Sequence, residues 1–341
     1  MTEKLSSWDP QETEARGIPS AEIHNVYQRW GEGGLGHILT GNIMLAYDQL
    51  EAAGNLIIPT DAPFDGPRFE AFTKLATVAK AHGSLITGQV THPGRQVDRR
   101  IQPHPVSASD VHLQGKVSAL TSRLRRSTYT ELGLTALNCK VPTGTYYPNF
   151  IAKHKPPDRC IRVEFQSGGF TVDEARELCR MLEEATFDFV ELSGGTYQAM
   201  AFKHERESTR KREAFFLEFA DMIVPALQKT KTYITGGFKT LSGMLDVLKT
   251  VDAVTQEFSL AKDMLNGSIS AAINQKVHQD DFALTNTIAG SQIRQVGKGQ
   301  EPIDMSREEN VQTFLEAMRT WAQRMEEDAQ AMKLYGYVDL D

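Results

Sequence analysis

Leu85-Ile86-Thr87-Gly88-Gln89-Val90-Thr91-His92-Pro93-Gly94-Arg95-Gln96 opens with apolar and β-branched residues, reaches Gly88-Gln89, and passes at once into a polar Pro-Gly loop. A buried strand that delivers a functional loop at its C-terminal end has this form. Gln89 puts both a hydrogen-bond donor and an acceptor where the strand stops. It either caps the strand or addresses a flat heteroaromatic ring, such as a flavin pyrimidine, that can use both.

The neighbouring stretches repeat the pattern. Phe69 to His82 has Phe69, Phe72, Leu75, Ala76 and Ala79 at helical spacing, with Gly83 as its stop. Before it, Ile38-Leu39-Thr40-Gly41-Asn42-Ile43 reads as a strand that also closes on a glycine and an amide residue. Further back, Pro19-Ser20 precedes a helix with Ile23, Val26, Tyr27 and Trp30 on its apolar side, and Ser20 suits the N-cap. Gly31-Glu32-Gly33-Gly34 ends that helix.

The rhythm returns downstream. Cys160 to Phe165 reads as a strand, and Thr171-Val172-Asp173-Glu174 as a capping box for a helix to about Glu184. Phe187 to Ser193 forms a strand ending on Gly194-Gly195-Thr196. A long helix starts at Ser208, with Pro225 as a kink, and Thr232 to Thr235 is a strand ending on Gly236-Gly237. A helix over Leu241 to Leu248 leads to a short strand, Val251 to Val254. The C-terminal region, 306–332, is an amphipathic helix opened by the capping box Ser306-Arg307-Glu308-Glu309.

Strands alternating with helices, each strand closing on a glycine-rich turn, indicate a parallel β/α fold. Gly236-Gly237 reads equally as a plain βα turn or as a turn whose N–H groups approach a phosphate. Six strands are recognisable, whereas a closed (β/α)8 barrel needs eight. Between Val117 and Arg159 no period emerges; the basic cluster Ser122-Arg123-Leu124-Arg125-Arg126 reads as a solvated surface, and Pro142, Pro148, Pro156 and Pro157 punctuate the rest.

Composition narrows the functional classes. A chain of 341 residues makes one large α/β domain or two smaller ones, and 40% hydrophobic residues supply a core. The net charge of −7 argues against nucleic acid or anionic lipid as a general partner. Cys139, Cys160 and Cys179 lack metal-ligand spacing and imply a reducing, cytoplasmic compartment. Met1 to Gly17 is polar, unlike a signal peptide, and no run of about 18 apolar residues would span a membrane.

The motifs in register resemble one family. Leu39-Thr40-Gly41-Asn42, the Gly88–Gln96 stretch, Glu191-Leu192-Ser193-Gly194-Gly195-Thr196-Tyr197, Glu207-Ser208-Thr209-Arg210-Lys211-Arg212-Glu213-Ala214 and Thr235-Gly236-Gly237-Phe238 look like the Old Yellow Enzyme, or NADH:flavin oxidoreductase, family. The resemblance covers roughly 1–115 and 163–341. It implies a single (β/α)8 TIM-barrel domain over 1–341, irregular across 117–159, that holds FMN at the C-terminal ends of its strands. It also implies hydride transfer from NADH or NADPH through FMN to a small-molecule acceptor such as an activated alkene or quinone, and it leaves a homo-oligomer open. Position by position, the resemblance places Thr2 at the end of strand one beside the flavin and Asn42 at the end of strand two against its ring. Gln89 bonds the pyrimidine edge, and Gly236 and Gly237 lie beside the phosphate.

Three departures accompany the likeness. The chain starts inside what resembles strand one. No His-His or His-Asn pair, which in the family bonds the acceptor's carbonyl, stands between Val117 and Arg159, so no catalytic residue is named; Arg162 or Arg159 would supply the cation at flavin N1. The strand-eight Gly-Arg pair that grips the phosphate is absent after Val254, where Thr255-Gln256-Glu257 follows. Losing that contact removes roughly 1.5–3 kcal/mol, so FMN is expected to bind weakly or not at all. A shifted reading frame or splice junction would account for all three departures. The alternative reading is an inactive relic with a binding role or none. A Schiff-base aldolase barrel lacks a strand lysine to support it.

Overall fold

Ser20 begins the first helix as its short hydroxyl predicts, accepting the Ile23 N–H at 3.2 Å and freeing helix α1, Ala21–Glu32, to bury Ile23, Val26 and Tyr27. The computed structural model describes residues 2–93, 96–104, 106–107, 125–126, 162–163, 172–194, 222–234, 256–278 and 281–341. Strand β1, His37–Met44, follows α1, and the two-residue β2, Leu56–Ile57, pairs with its end. Helix α2, Gly66–Lys80, starts three residues earlier than its apolar spacing suggested, because Pro67 takes a first-turn position where no N–H is needed. Gly83, at φ +95, then turns the chain into β3, Leu85–Thr91.

The strands order β2-β1-β3, all parallel. One layer out, α1 and α2 pack on this sheet through Ile23, Val26, Tyr27, Ile38, Ile43, Leu56, Leu75 and Ala79. A second parallel sheet, β6-β7-β8, joins Arg162–Val163, Phe189–Gly194 and Lys231–Ile234. Helix α3, Val172–Glu184, connects β6 to β7. Between the sheets stand three rings set edge to face: His37 of β1 lies 5.3 Å from Phe189 of β7 and 5.5 Å from Tyr233 of β8, and the latter two are 5.1 Å apart. His37 and Phe189 are the first residues of their strands, and Tyr233 is the third of the four in β8.

The second half departs from the sequence expectations in places. Pro225 sits in a 3-10 turn, Val224–Ala226, that ends the preceding helix instead of kinking it. Two helices were not anticipated: α4, Leu260–Leu265, and α5, Phe282–Gly297, the latter capped by the Asp281 carboxylate on the Leu284 N–H at 3.0 Å. Helix α6 spans Glu308–Glu327, shorter at both ends than 306–332. Its expected capping box does not form, because Asp304 draws the Ser306 hydroxyl and N–H away at 2.7 and 3.0 Å. Within 117–159 only Arg125–Arg126 (β5) lies among the described residues, and it pairs in parallel with Val106–Ser107 (β4). The strand over 251–254, the helix over 241–248 and most of the helix from Ser208 lie outside the described residues.

A candidate flavin site at the strand ends

The C-terminal half of β1 carries an irregularity that orients its amide residue. Leu39 pairs with Thr87, but Asn42 pairs with Gln89, so two residues of β1, Thr40 and Gly41, stand opposite Gly88 of β3. This is a one-residue bulge, rare in parallel pairs. Because side chains alternate along a strand, the bulge switches the face of everything beyond it. His37 and Leu39 share a face with Leu85 and Thr87, and His37 Nε2 meets Thr87 Oγ1 at 2.9 Å. Ile38 and Ile43 point the other way, into the core beneath α1 and α2. With the bulge, Asn42 and Gln89 fall on the face of the His37 ring cluster; without it, Asn42 would point into the helix layer.

The two amides differ in commitment. Asn42 donates from Nδ2 to Glu51 Oε2 at 3.1 Å. Gln89 is exposed, its backbone N–H is held by Thr40 Oγ1 at 2.9 Å, and its carboxamide makes no hydrogen bond among the described residues. A Cβ on Gly88 would come 3.2 Å from Ile43 Cδ1, so the strand is already close against its neighbour one residue before Gln89. Just past β3, burial pushes the His92 imidazole down to about 4, partly offset by the Asp48 carboxylate, which itself accepts from Gln102 Nε2 at 2.6 Å. His92 is therefore neutral at physiological pH.

Thr2 is buried, and its carbonyl accepts the Tyr337 hydroxyl at 3.2 Å. It is not part of a strand, contrary to the strand-one expectation; its neighbour Glu3 reaches β1 through a side chain instead of a ladder. The Glu3 carboxylate accepts the Tyr27 hydroxyl and the Gly41 N–H, the latter at 2.9 Å. Arg162 is described by its backbone alone, which pairs with Ser193 of β7. Gly236 and Gly237 lie outside the described residues. The structure therefore brings Asn42 and Gln89 together, with Thr2 joined to β1 through Glu3. Sequence reading missed Glu3, Tyr27 and Thr40, although a glycine inside a strand pattern is itself a signal of a bulge or a close backbone approach.

The parallel strands and the intervening helices define a β/α fold that carries Asn42 and Gln89 side by side near its strand ends, and comparison with known proteins narrows the class. No protein-family profile matches the chain. It is 35% identical over 384 aligned residues to the NADH-dependent flavin oxidoreductase nadA of Aspergillus parasiticus, covering 95% of this chain and 86% of that protein. Among solved structures, a 2-naphthoyl-CoA reductase superposes at a TM-score of 0.57 with 13% identity over 89% of this chain. Histamine dehydrogenase from Rhizobium sp. 4-9 superposes at 0.52 with 12% identity over 78%. The chain spans about half of each of these two longer proteins, 54% and 45%. The chain belongs to the NADH-dependent flavin oxidoreductase, or Old Yellow Enzyme, family, and its fold is of the (β/α)8 barrel type.

Proposed function

We propose that this protein passes hydride from NADH or NADPH through FMN to a small-molecule acceptor, an activated alkene or a quinone, within a single barrel domain over 1–341. The observation that carries this reading is the pairing of Asn42 with Gln89 on one face near the strand ends, with the Gln89 carboxamide making no hydrogen bond among the described residues. That donor set fits the polar edge of a flavin ring, because a pyrimidine edge offers alternating acceptors and a donor that one carboxamide can match. When bound, FMN supplies the two-electron carrier between nicotinamide and acceptor.

Gln89 presents its donor and acceptor to the ring edge, and Asn42, steadied by Glu51, lies beside it. Gly236, Gly237 and Arg162 are assigned by the same reading to the phosphate and to the reduced ring's negative charge. Thr2 is assigned to the ring's side, and the half-buried His92, neutral at physiological pH, adds no charge beside the strand end. A cytoplasmic location belongs to the proposal; no helix among the described residues is long and apolar enough to cross a membrane.

Adding FMN and then NADH or NADPH to the purified protein, while following the visible flavin band, tests the reading. The band should bleach with one of the nicotinamides and return when an enone or a quinone is added. A flavin band that neither nicotinamide bleaches would sink the proposal.

A further inference from the structure

We propose that Glu3 and Tyr27 are positioning residues that lock the β1 bulge and so decide that Asn42 faces the site; this rests on the flavin reading above. A bulge leaves one backbone N–H outside the ladder, and a buried N–H without a partner is costly. Here the orphaned group is that of Gly41. It is shared between Glu3 Oε1 at 2.9 Å and the Tyr27 hydroxyl at 3.0 Å, while Tyr27 in turn donates to Glu3.

Both partners are buried, Glu3 at 2% exposure and Tyr27 at 0%, so water does not replace either. Glycine at position 41 gives the clamp its room, since a Cβ there would push the Glu3 carboxylate out of its place against the strand. The other half of the bulge is closed by Thr40. Its hydroxyl donates to the Gly41 carbonyl at 2.8 Å and accepts the Gln89 N–H at 2.9 Å. One small network thus reaches from helix α1 through the bulge to the residue that addresses the ring.

The consequence for the site is a choice between two registers. With the clamp, Ile43 enters the core beneath α1 and Asn42 stands beside Gln89. In the unbulged register Gly41 would pair with Gln89, and the helix layer would receive an amide in place of an isoleucine.

Three variants separate this from a general packing role: Tyr27→Phe, which keeps the ring; Glu3→Gln, which keeps an acceptor; and Glu3→Leu, which removes it. Two measurements are made on each, amide hydrogen exchange at Gly41 and Gln89 in the flavin-free protein, and FMN affinity by flavin fluorescence. Tyr27→Phe and Glu3→Leu should exchange both amides faster and bind FMN about tenfold more weakly, as for loss of a buried hydrogen bond. Glu3→Gln should stay near wild type in both. Unchanged exchange at Gly41 and Gln89 in Tyr27→Phe and Glu3→Leu would overturn the inference, as would equal defects in Glu3→Gln and Glu3→Leu. If the wild-type protein binds no FMN, the flavin reading fails by itself, and the exchange data still decide the bulge.

Discussion

Gln89 is the residue on which the functional reading can be tested most directly, because its side chain has no structural duty among the described residues. Replacing it with leucine leaves the strand's backbone bonds intact, including the N–H held by Thr40. Gln89→Leu should therefore leave the thermal midpoint within a degree or two while weakening FMN by about ten- to hundredfold, the cost of one or two buried hydrogen bonds. Fluorescence titration beside a melting curve reads both. A variant that binds FMN like wild type would show that this amide does not meet the ring.

Among the elements, α3 and β8 are joined by a single carboxylate. Glu183, near the end of α3, accepts the N–H groups of Gln228, Lys229 and Thr230 at 2.9, 2.6 and 2.8 Å, just before β8 begins. These backbone donors hold its carboxyl below the ordinary carboxylate range. A lowered folded value means the unfolded chain binds the proton first as pH falls. The stabilisation is thus complete above the ordinary carboxylate value and lost as pH drops through the lowered one. Glu183→Gln should lower the melting temperature near neutral pH, and the gap to wild type should close in acid; a gap independent of pH would refute the assignment. Elements with local signals were legible in the sequence: α1 with its Ser20 cap, β1, β3, α3 and β7. Helix α5 was not, because Thr285, Thr287, Gly290 and Ser291 are poor helix formers, and its hold is tertiary. Gly290 lets the Tyr337 ring lie against its backbone, and Ile288 and Ile293 supply apolar contacts on two clusters. The site was half legible for a similar reason. Asn42 and Gln89 are visible as amides after a glycine, although both strands run two residues beyond them, and their adjacency depends on a bulge held by Glu3 and Tyr27, which lie 38 and 14 residues away in sequence from Gly41.

At the scale of the molecule, the last residues fold back onto the first. Arg294 of α5, only 19% exposed, bridges Asp339 at 2.9 Å and donates to the carbonyls of Tyr335 and Tyr337 at 3.2 and 3.0 Å. Lys298 adds a second cation on Asp339 at 2.6 Å, and the Trp8 indole donates to the Met332 carbonyl at 2.7 Å. Arg294→Lys keeps the charge but not the fork of donors, so it should cost about 2–3 kcal/mol in chemical denaturation; a loss below about 0.5 kcal/mol would mean the fork is dispensable. The Tyr337–Thr2 hydrogen bond, which closes this arrangement across 335 positions, also bears on synthesis. A ribosome adding roughly 5–20 residues per second exposes Thr2 on the order of tens of seconds before Tyr337 exists. During that interval Thr2 lacks this partner, and the Trp8 indole likewise has no Met332 carbonyl to meet. The segment around Thr2 and Trp8, beside the candidate site, therefore reaches its final contacts long after it is itself made.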